Sequence, residues 1–371
     1  MQVGVTDWGG RVETFTNSLK AKAAELGFVL SGVAAAAQPQ RYQAFLQWLD
    51  AGYAGQMHYL ETRREAYASP QNILEGCSTL LMLGFPYRTV EPPDVEPGSG
   101  RVARYAWGEP DYHDHIFEQL KCLKEWLVQQ HPTARARGVV DTAPLLEREF
   151  AEASGLGWVG KNTLLLNRHW GSYFFLAALL TDVPLRVDPP QTQGYCGTCR
   201  ACLDACPTQA FPQPYVLDAR RCVSYLTIEH RDHIDSDLAA QMGNWMFGCD
   251  ICQEVCPWNR RAAVSAQAVP QPIASLTPAD LVSLLQMDDA SFRQRYRHTP
   301  LWRAKRRGVI RNACLVLGNQ RYLPAIPALQ SLTADTEALI RSAAQWALEV
   351  MGTPRVDPPR PSGPTLPRPG G

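Results

Sequence analysis

Four cysteines crowd into "CGTCRACLDACP", residues 196–207. Cys196, Cys199 and Cys202 follow C-x2-C-x2-C, and a further x3 spacing leads to Cys206 and Pro207. Bacterial ferredoxins hold [4Fe–4S] clusters with this run, three close thiolates on one cubane and the fourth cysteine on a second. A matching set stands in "CDICQEVCPWN": Cys249, Cys252 and Cys256 before Pro257, with Cys222 upstream. The spacing assigns Cys196, Cys199, Cys202 and Cys256 to one cluster, and Cys206, Cys222, Cys249 and Cys252 to the other. Of the eleven cysteines that leaves Cys77, Cys122 and Cys314 as buried or inert thiols. Two structural zinc sites are the alternative, but zinc ribbons use two separated C-x2-C knuckles. A disulfide framework belongs to oxidising compartments.

Other residues could do chemistry beside such clusters. Asp141, in "VVDTAPLLER", ends an apolar strand pattern just before a helix. It reads either as a helix N-cap near Pro144 or as a proton donor, since a carboxyl at a strand's C-terminal end commonly faces a ligand crevice. "GLGWVGKN" (155–162) mimics two nucleotide loops and fits neither. A helix pattern precedes it and a strand pattern follows, the reverse of the dinucleotide order, and Asn162 stands where a P-loop needs Ser or Thr. It is a tight turn or a loop that lets another cofactor approach the backbone. "RYAWGEPDYH" (104–113) has the mixture to line a pocket, although a lone His113 is more often structural. His230, Arg231 and His233 follow Cys222, and "RAKRRGVIR" (303–311) concentrates cations as a solvated helix face or a phosphate-contacting strip.

The elements that must carry these residues form three regions. Helices are expected over 13–26, 40–50, 112–130 and from Pro144 to Ser154, with strands at 28–37, 78–87 and 137–140. "TLLLN" and "SYFFLAALLT", flanking "RHWG", give a hairpin signal. Residues 1–185 thus form an α/β (α+β) domain around one sheet, 186–262 the cysteine module, and 263–352 helices. In the last region "IRNACLVLGN" and "IRSAAQWALE" repeat at a spacing of 30, a short HEAT-like array. Residues 353–371, rich in Pro and Gly, are expected to be disordered.

Bulk numbers set limits. Thirty-six Lys and Arg balance thirty-six Asp and Glu in 371 residues, so any attraction to a polyanion must be local. The first residues show neither a basic n-region nor an apolar h-region, and no apolar run reaches the ~18 residues of a membrane span. Cluster thiolates also require a reducing compartment. A cytoplasmic protein with no membrane contact is expected.

The five stretches "RYAWGEPDYH", "DTAPLLEREFAEASGLGWVGKNTLLL", "GYCGTCRACLDACPTQA", "CVSYLTIEHR" and "GCDICQEVCPWN", in this order from Arg104 to Asn259, resemble epoxyqueuosine reductases, and the helical tail resembles the longer form of that family. The resemblance implies reduction of epoxyqueuosine to queuosine at the wobble position of a tRNA anticodon. It implies base-off cobalamin in a relative of the reductive dehalogenase corrinoid domain, beside two [4Fe–4S] clusters. It makes Asp141 the proton donor, a carboxyl held protonated in a dry pocket. Arg64, Arg104, His113, Asp141, Gly160, Lys161, Asn162, Ser224 and Asp250 are the implied cobalamin contacts. His230, Arg231, Lys305, Arg306 and Arg307 are the expected tRNA contacts. An external low-potential electron donor and a monomeric protein are also expected. A corrinoid dehalogenase for a small halogenated molecule and a ferredoxin-type electron carrier are the rival readings; this chain lacks the twin-arginine signal usual in the former.

Overall fold

The computed structural model describes residues 8–265, 271–273 and 276–352; the expected disordered tail from Thr353 lies outside the described residues. Four strands form the main sheet: β1 (Leu30–Ala35), β2 (Thr79–Pro86), β3 (Ala136–Val140) and β4 (Phe174–Thr181). Their order is β1-β2-β4-β3, and every pairing is antiparallel. β2 and β4 are continuous apolar runs, which suits central strands covered on both faces.

Alternation along β2 separates two cores. Leu81, Leu83 and Phe85 face the helices Trp8–Glu25 and Tyr112–Gln130, meeting Leu19, Ile116 and Leu120. Leu80 and Met82 face the other way, onto Phe150 and Ala151 of the helix Glu147–Ala153. Each fully buried Leu or Phe here contributes about 1.5–3 kcal/mol over exposure. The approach at β1 is tight enough that a Cβ on Gly32 would stand 2.2 Å from the Ser154 carbonyl oxygen.

The expected hairpin around "RHWG" does not form. Leu165–Leu166 pairs instead with Trp158–Val159, and a single bridge, Asn167 to Gly171, survives of the expected pairing. β4 is apolar over its whole length, so it inserts between β2 and β3 where both faces are covered.

The C-terminal region is helical apart from short strand pairings, and the two stretches of period 30 fall on the helices Lys305–Gln320 and Ala338–Gly352. These pack so closely that a Cβ on Gly318 would meet Ala347 Cα at 3.0 Å. The first is buried almost all round. Its residues belong to the same core as Val223, Leu226, Met246 and Phe247 of the cysteine module, and as Val102 and Trp107.

Candidate active site

β3 ends at Val140, and Asp141 turns the chain with φ 55°, a left-handed conformation that Asp tolerates better than most residues. The turn is held by a hydrogen bond from the Asp141 backbone N–H to Glu147 Oε1 at 2.9 Å. The N-cap reading of Asp141 is corrected by the geometry: the following helix starts at Glu147 with Leu146 at its N-cap and no side-chain cap. The freed carboxylate points at the start of the helix Tyr112–Gln130. Tyr112 Oη donates to Asp141 Oδ2 at 2.9 Å, and His113 Nε2 lies 3.1 Å from the same oxygen. Asp111 caps that helix by accepting from the His113 backbone N–H, and its Oδ1 sits 2.8 Å from His113 Nδ1. Tyr112 is clamped by stacking, with ring centroids 4.0 Å from both Phe175 and His113.

The protons in this group are shared out unevenly. Desolvation pushes the Asp141 carboxyl up, but the hydrogen bond and charge of His113 and the Tyr112 hydroxyl outweigh it and hold the carboxyl below its ordinary value. Burial lowers His113, yet Asp111 and Asp141 together carry it up to about 9. Burial, then the Asp141 charge, pushes Glu147 up to about 8. At neutral pH the protons therefore sit on His113 and Glu147, not on Asp141. This corrects the expectation of a protonated Asp141, because the sequence does not reveal that two carboxylates share His113. The Asp141 side chain keeps 61% of its surface accessible.

The cysteines lie close to one another, chiefly within the two expected sets, although Cys252 also feels Cys202. Burial raises the Cys202 thiol to about 11, helped by Cys256, Cys196 and Cys199; burial likewise raises Cys252, with Cys249 and Cys222 as the next influences. Cys206 completes the second set through Cys222 and Cys249. Thiols perturb one another in this way only at short range. Among the described residues no three His, Cys, Asp or Glu side chains converge on a point fit for one bare ion. Cys77 and Cys314 are buried, whereas Cys122 is exposed.

Other expected contacts divide into groups. Arg104 and Asp250 meet: the Arg104 backbone N–H donates to Asp250 Oδ2 at 2.8 Å, and its guanidinium bonds Glu254 Oε1 at 2.9 Å. Burial raises Asp250 to about 6. Arg64 donates to Asp50 at 2.7 Å, in a different neighbourhood. Lys161 Nζ donates to the carbonyls of Gly197 and Cys199 at 2.6 and 2.9 Å, and Asn162 Nδ2 to that of Cys252 at 3.3 Å. Ser224 lies half-buried in the helix Val223–Ile228. The glycines of "GLGWVGKN" have an internal reason. A Cβ on Gly157 would stand 2.0 Å from the Leu166 carbonyl oxygen, and one on Gly160 would stand 2.7 Å from Leu166 Cδ1.

Comparisons with known proteins bear on this arrangement. A family model described as a 4Fe-4S double cluster binding domain matches residues 195–259, and one described as epoxyqueuosine reductase QueG, DUF1730, matches residues 68–142. The epoxyqueuosine reductase of Pseudomonas aeruginosa is 40% identical over 340 residues, 90% of this chain and 94% of that one. This chain belongs to the epoxyqueuosine reductase family. The Vibrio cholerae epoxyqueuosine reductase is 39% identical over 91% of this chain and 92% of its own. A crystal structure of an epoxyqueuosine reductase with an epoxyqueuosine-modified tRNA-Tyr stem loop gives a TM-score of 0.86 at 29% identity, covering 92% of this chain and 91% of that one. The Bacillus subtilis enzyme, with its catalytic aspartate loop swung out of the active site, gives 0.84 at 28% identity over 92% of both chains.

The cations of this epoxyqueuosine reductase family member need one correction. Arg306 is buried, its Nε donating to Met287 O at 2.7 Å and its Nη2 to Asp335 at 2.8 Å. Lys305 and Arg307 are exposed. A helix turns its side chains by about 100° per residue, so three consecutive cations cannot share one face. Arg303 takes the outward place, gripping Glu229 with Nε and Nη2 at 2.8 and 3.2 Å, and it lies over the Tyr59 ring at 5.6 Å. Arg231 joins them, 3.9 Å from Glu229. His230 Nε2 is turned to the His233 carbonyl at 2.9 Å. Arg303 and Tyr59 both feel the Asp141 charge. Sequence reasoning missed Tyr112 and Glu147 as partners of Asp141. The signal for Glu147 was an acid in the first turn after a D-T-A-P turn.

Proposed function

We propose that this chain reduces epoxyqueuosine to queuosine at the wobble position of a tRNA, removing the epoxide oxygen as water with two electrons and two protons. What carries this reading is Asp141, held by Tyr112, His113 and Glu147 in a chain of this family that also carries two four-cysteine sets. The cysteine sets hold [4Fe–4S] clusters, which supply electrons singly at low potential. Cobalamin, when bound, supplies a strongly reducing cobalt centre for the carbon–oxygen bond. Residues for it are at hand: Arg64 and Arg104 each keep a buried Nε–H without a partner, a donor that a bound cofactor's acceptor atoms would satisfy.

Asp141 relays a proton from His113, whose Nε2 is 3.1 Å from Oδ2, to the leaving oxygen, and His113 is reprotonated from solvent afterwards. Tyr112 fixes the carboxylate's direction, and Glu147 fixes the turn. A general acid of this kind contributes about 10²–10⁴-fold. An electron carrier would have no use for such a proton network, which disfavours that rival.

The tRNA lies across Arg231, Arg303, Lys305 and Arg307, presented by the helices, which we take as a HEAT-like array. The target base is splayed out, since chemistry on a stacked base is blocked. No described helix is long and apolar enough to cross a membrane; we place the enzyme in the cytoplasm as a monomer. Mass spectrometry of epoxyqueuosine tRNA after incubation with reduced, cobalamin-loaded protein tests the reading. A mass loss of one oxygen supports it, and an unchanged nucleoside overturns it.

A further inference from the structure

Of the eight cluster cysteines Cys199 is the exposed one, and the surface around it is basic. Arg168, Arg260 and Arg261 are exposed and find no carboxylate within ion-pair distance among the described residues. They share one neighbourhood. The Ala263 backbone N–H donates to the His169 carbonyl at 2.9 Å, which lays the segment after Cys256 beside the segment carrying Arg168. Arg168 stacks over Tyr195 at 4.2 Å, and Tyr195 meets Trp258 at 5.9 Å. Arg200, inside the cysteine loop, reaches Asp204 at 3.3 Å with both side chains more than half exposed. On the other flank Tyr215 is 53% exposed, its backbone N–H donating to the Lys161 carbonyl at 3.0 Å.

The second cysteine set lies toward the proton network. The Tyr105 ring centroid is 5.9 Å from that of Tyr112, which donates to Asp141, and 6.5 Å from that of Phe247, two residues before Cys249. The Cys206 set is therefore the inner one, on the side of the proton network, and the Cys196 set the outer one. Electrons from outside must enter at the outer set.

We propose that the face of Arg168, Arg260, Arg261, Tyr195 and Tyr215 docks a small acidic one-electron carrier protein, which feeds the cluster held by Cys196, Cys199, Cys202 and Cys256. The proposal rests on the two-cluster reading. Unpaired cations ringing exposed aromatic surface are complementary to an acidic carrier whose redox group lies at its own apolar edge, and such charges act mainly on the rate of encounter. Each encounter moves one electron from the carrier's reduced flavin to the outer cluster, which is reduced as the flavin is oxidised. Two encounters supply the two electrons that one epoxide consumes.

The test mixes a bacterial flavodoxin hydroquinone with the holoprotein in stopped flow and follows the loss of cluster absorbance against ionic strength. The second-order rate is expected to fall steeply with added salt, since exposed charges are screened within about 10 Å at 0.1 M. Arg168→Glu with Arg260→Glu and Arg261→Glu is expected to slow reduction at low salt by about tenfold or more. Reduction by dithionite, iron content and affinity for an epoxyqueuosine stem loop are expected to stay as in the parent protein. Should that variant lose iron, Arg260→Gln with Arg261→Gln replaces it, with a smaller slowing in the same direction. A salt-independent rate in the parent protein, or an unchanged rate in an iron-replete variant, overturns the proposal. A lost stem-loop affinity also overturns it, by assigning the face to RNA. Absence of any dithionite-reducible cluster would instead strike at the two-cluster reading.

Discussion

Glu147 accepts the backbone N–H of Asp141 at 2.9 Å, so a carboxyl pushed up to about 8 pins the turn that aims a carboxyl held low. Two acids six residues apart thus do different work. Under the proposed function, one reacts and the other holds. Glu147→Gln keeps a carbonyl acceptor and is expected to stay within a few-fold of the parent. Glu147→Ala frees the turn and is expected to lose about a hundredfold in single-turnover rate, the scale of an ångström's misplacement. Asp141→Asn is expected to lose two orders or more with clusters retained. Equal rates for the Ala variant and the parent would remove Glu147 from the positioning role.

The pH profile follows from the same group. His113 and Glu147 are protonated at neutral pH and lose their protons near about 9 and about 8. The rate of oxygen removal is therefore expected to fall as pH rises through that window. His113→Asn should remove the upper part of the alkaline limb and release Asp141 upward. The stability contributed by the His113 ion pairs has the same sign: present below its unfolded value of about 6.5, lost as pH rises through about 9. A Tm that climbs over that interval would contradict the pairing.

Metal analysis addresses the cysteines. Anaerobically purified protein is expected to carry about eight iron and about eight sulfide, and Cys199→Ala about half of each, because the two sets share no ligand. Stoichiometric zinc in place of iron would refute the cluster assignment.

For tRNA, Arg303→Gln with Lys305→Glu and Arg307→Glu is expected to weaken stem-loop binding. The salt dependence should flatten by roughly 0.7–0.9 per lost phosphate contact. Arg306→Glu is expected instead to lower Tm, since it would set a carboxylate against buried Asp335. An Arg306→Glu protein that melts like its parent yet binds tRNA poorly would reverse this assignment.

The double-cluster module over residues 195–259 was legible because its cysteines recur at fixed spacings along the chain. The core strands were legible because unbroken apolar runs at Thr79–Pro86 and Phe174–Thr181 have nowhere else to go. Partners across long loops were not legible. Nothing in the order of residues places Tyr112 and His113 on Asp141, or turns Arg306 inward while Arg303 points out. The glycines near Gly157 were legible as a need for small residues, but not as a need set by Leu166.

Asn312 donates its amide to the carbonyls of Thr227 and Met246 at 2.8 and 2.9 Å, and Arg311 donates to those of Leu226, His230 and Asp232. Thr227 follows Cys222 and Met246 precedes Cys249. The helix that shows Lys305 and Arg307 to solvent is thus riveted, by its inner face, to the stretches beside both of these cysteines. Under the proposed function, one stiff strut sets an RNA on the outside against the electron source on the inside, and the distance between them belongs to the protein frame, the same for every tRNA that seats.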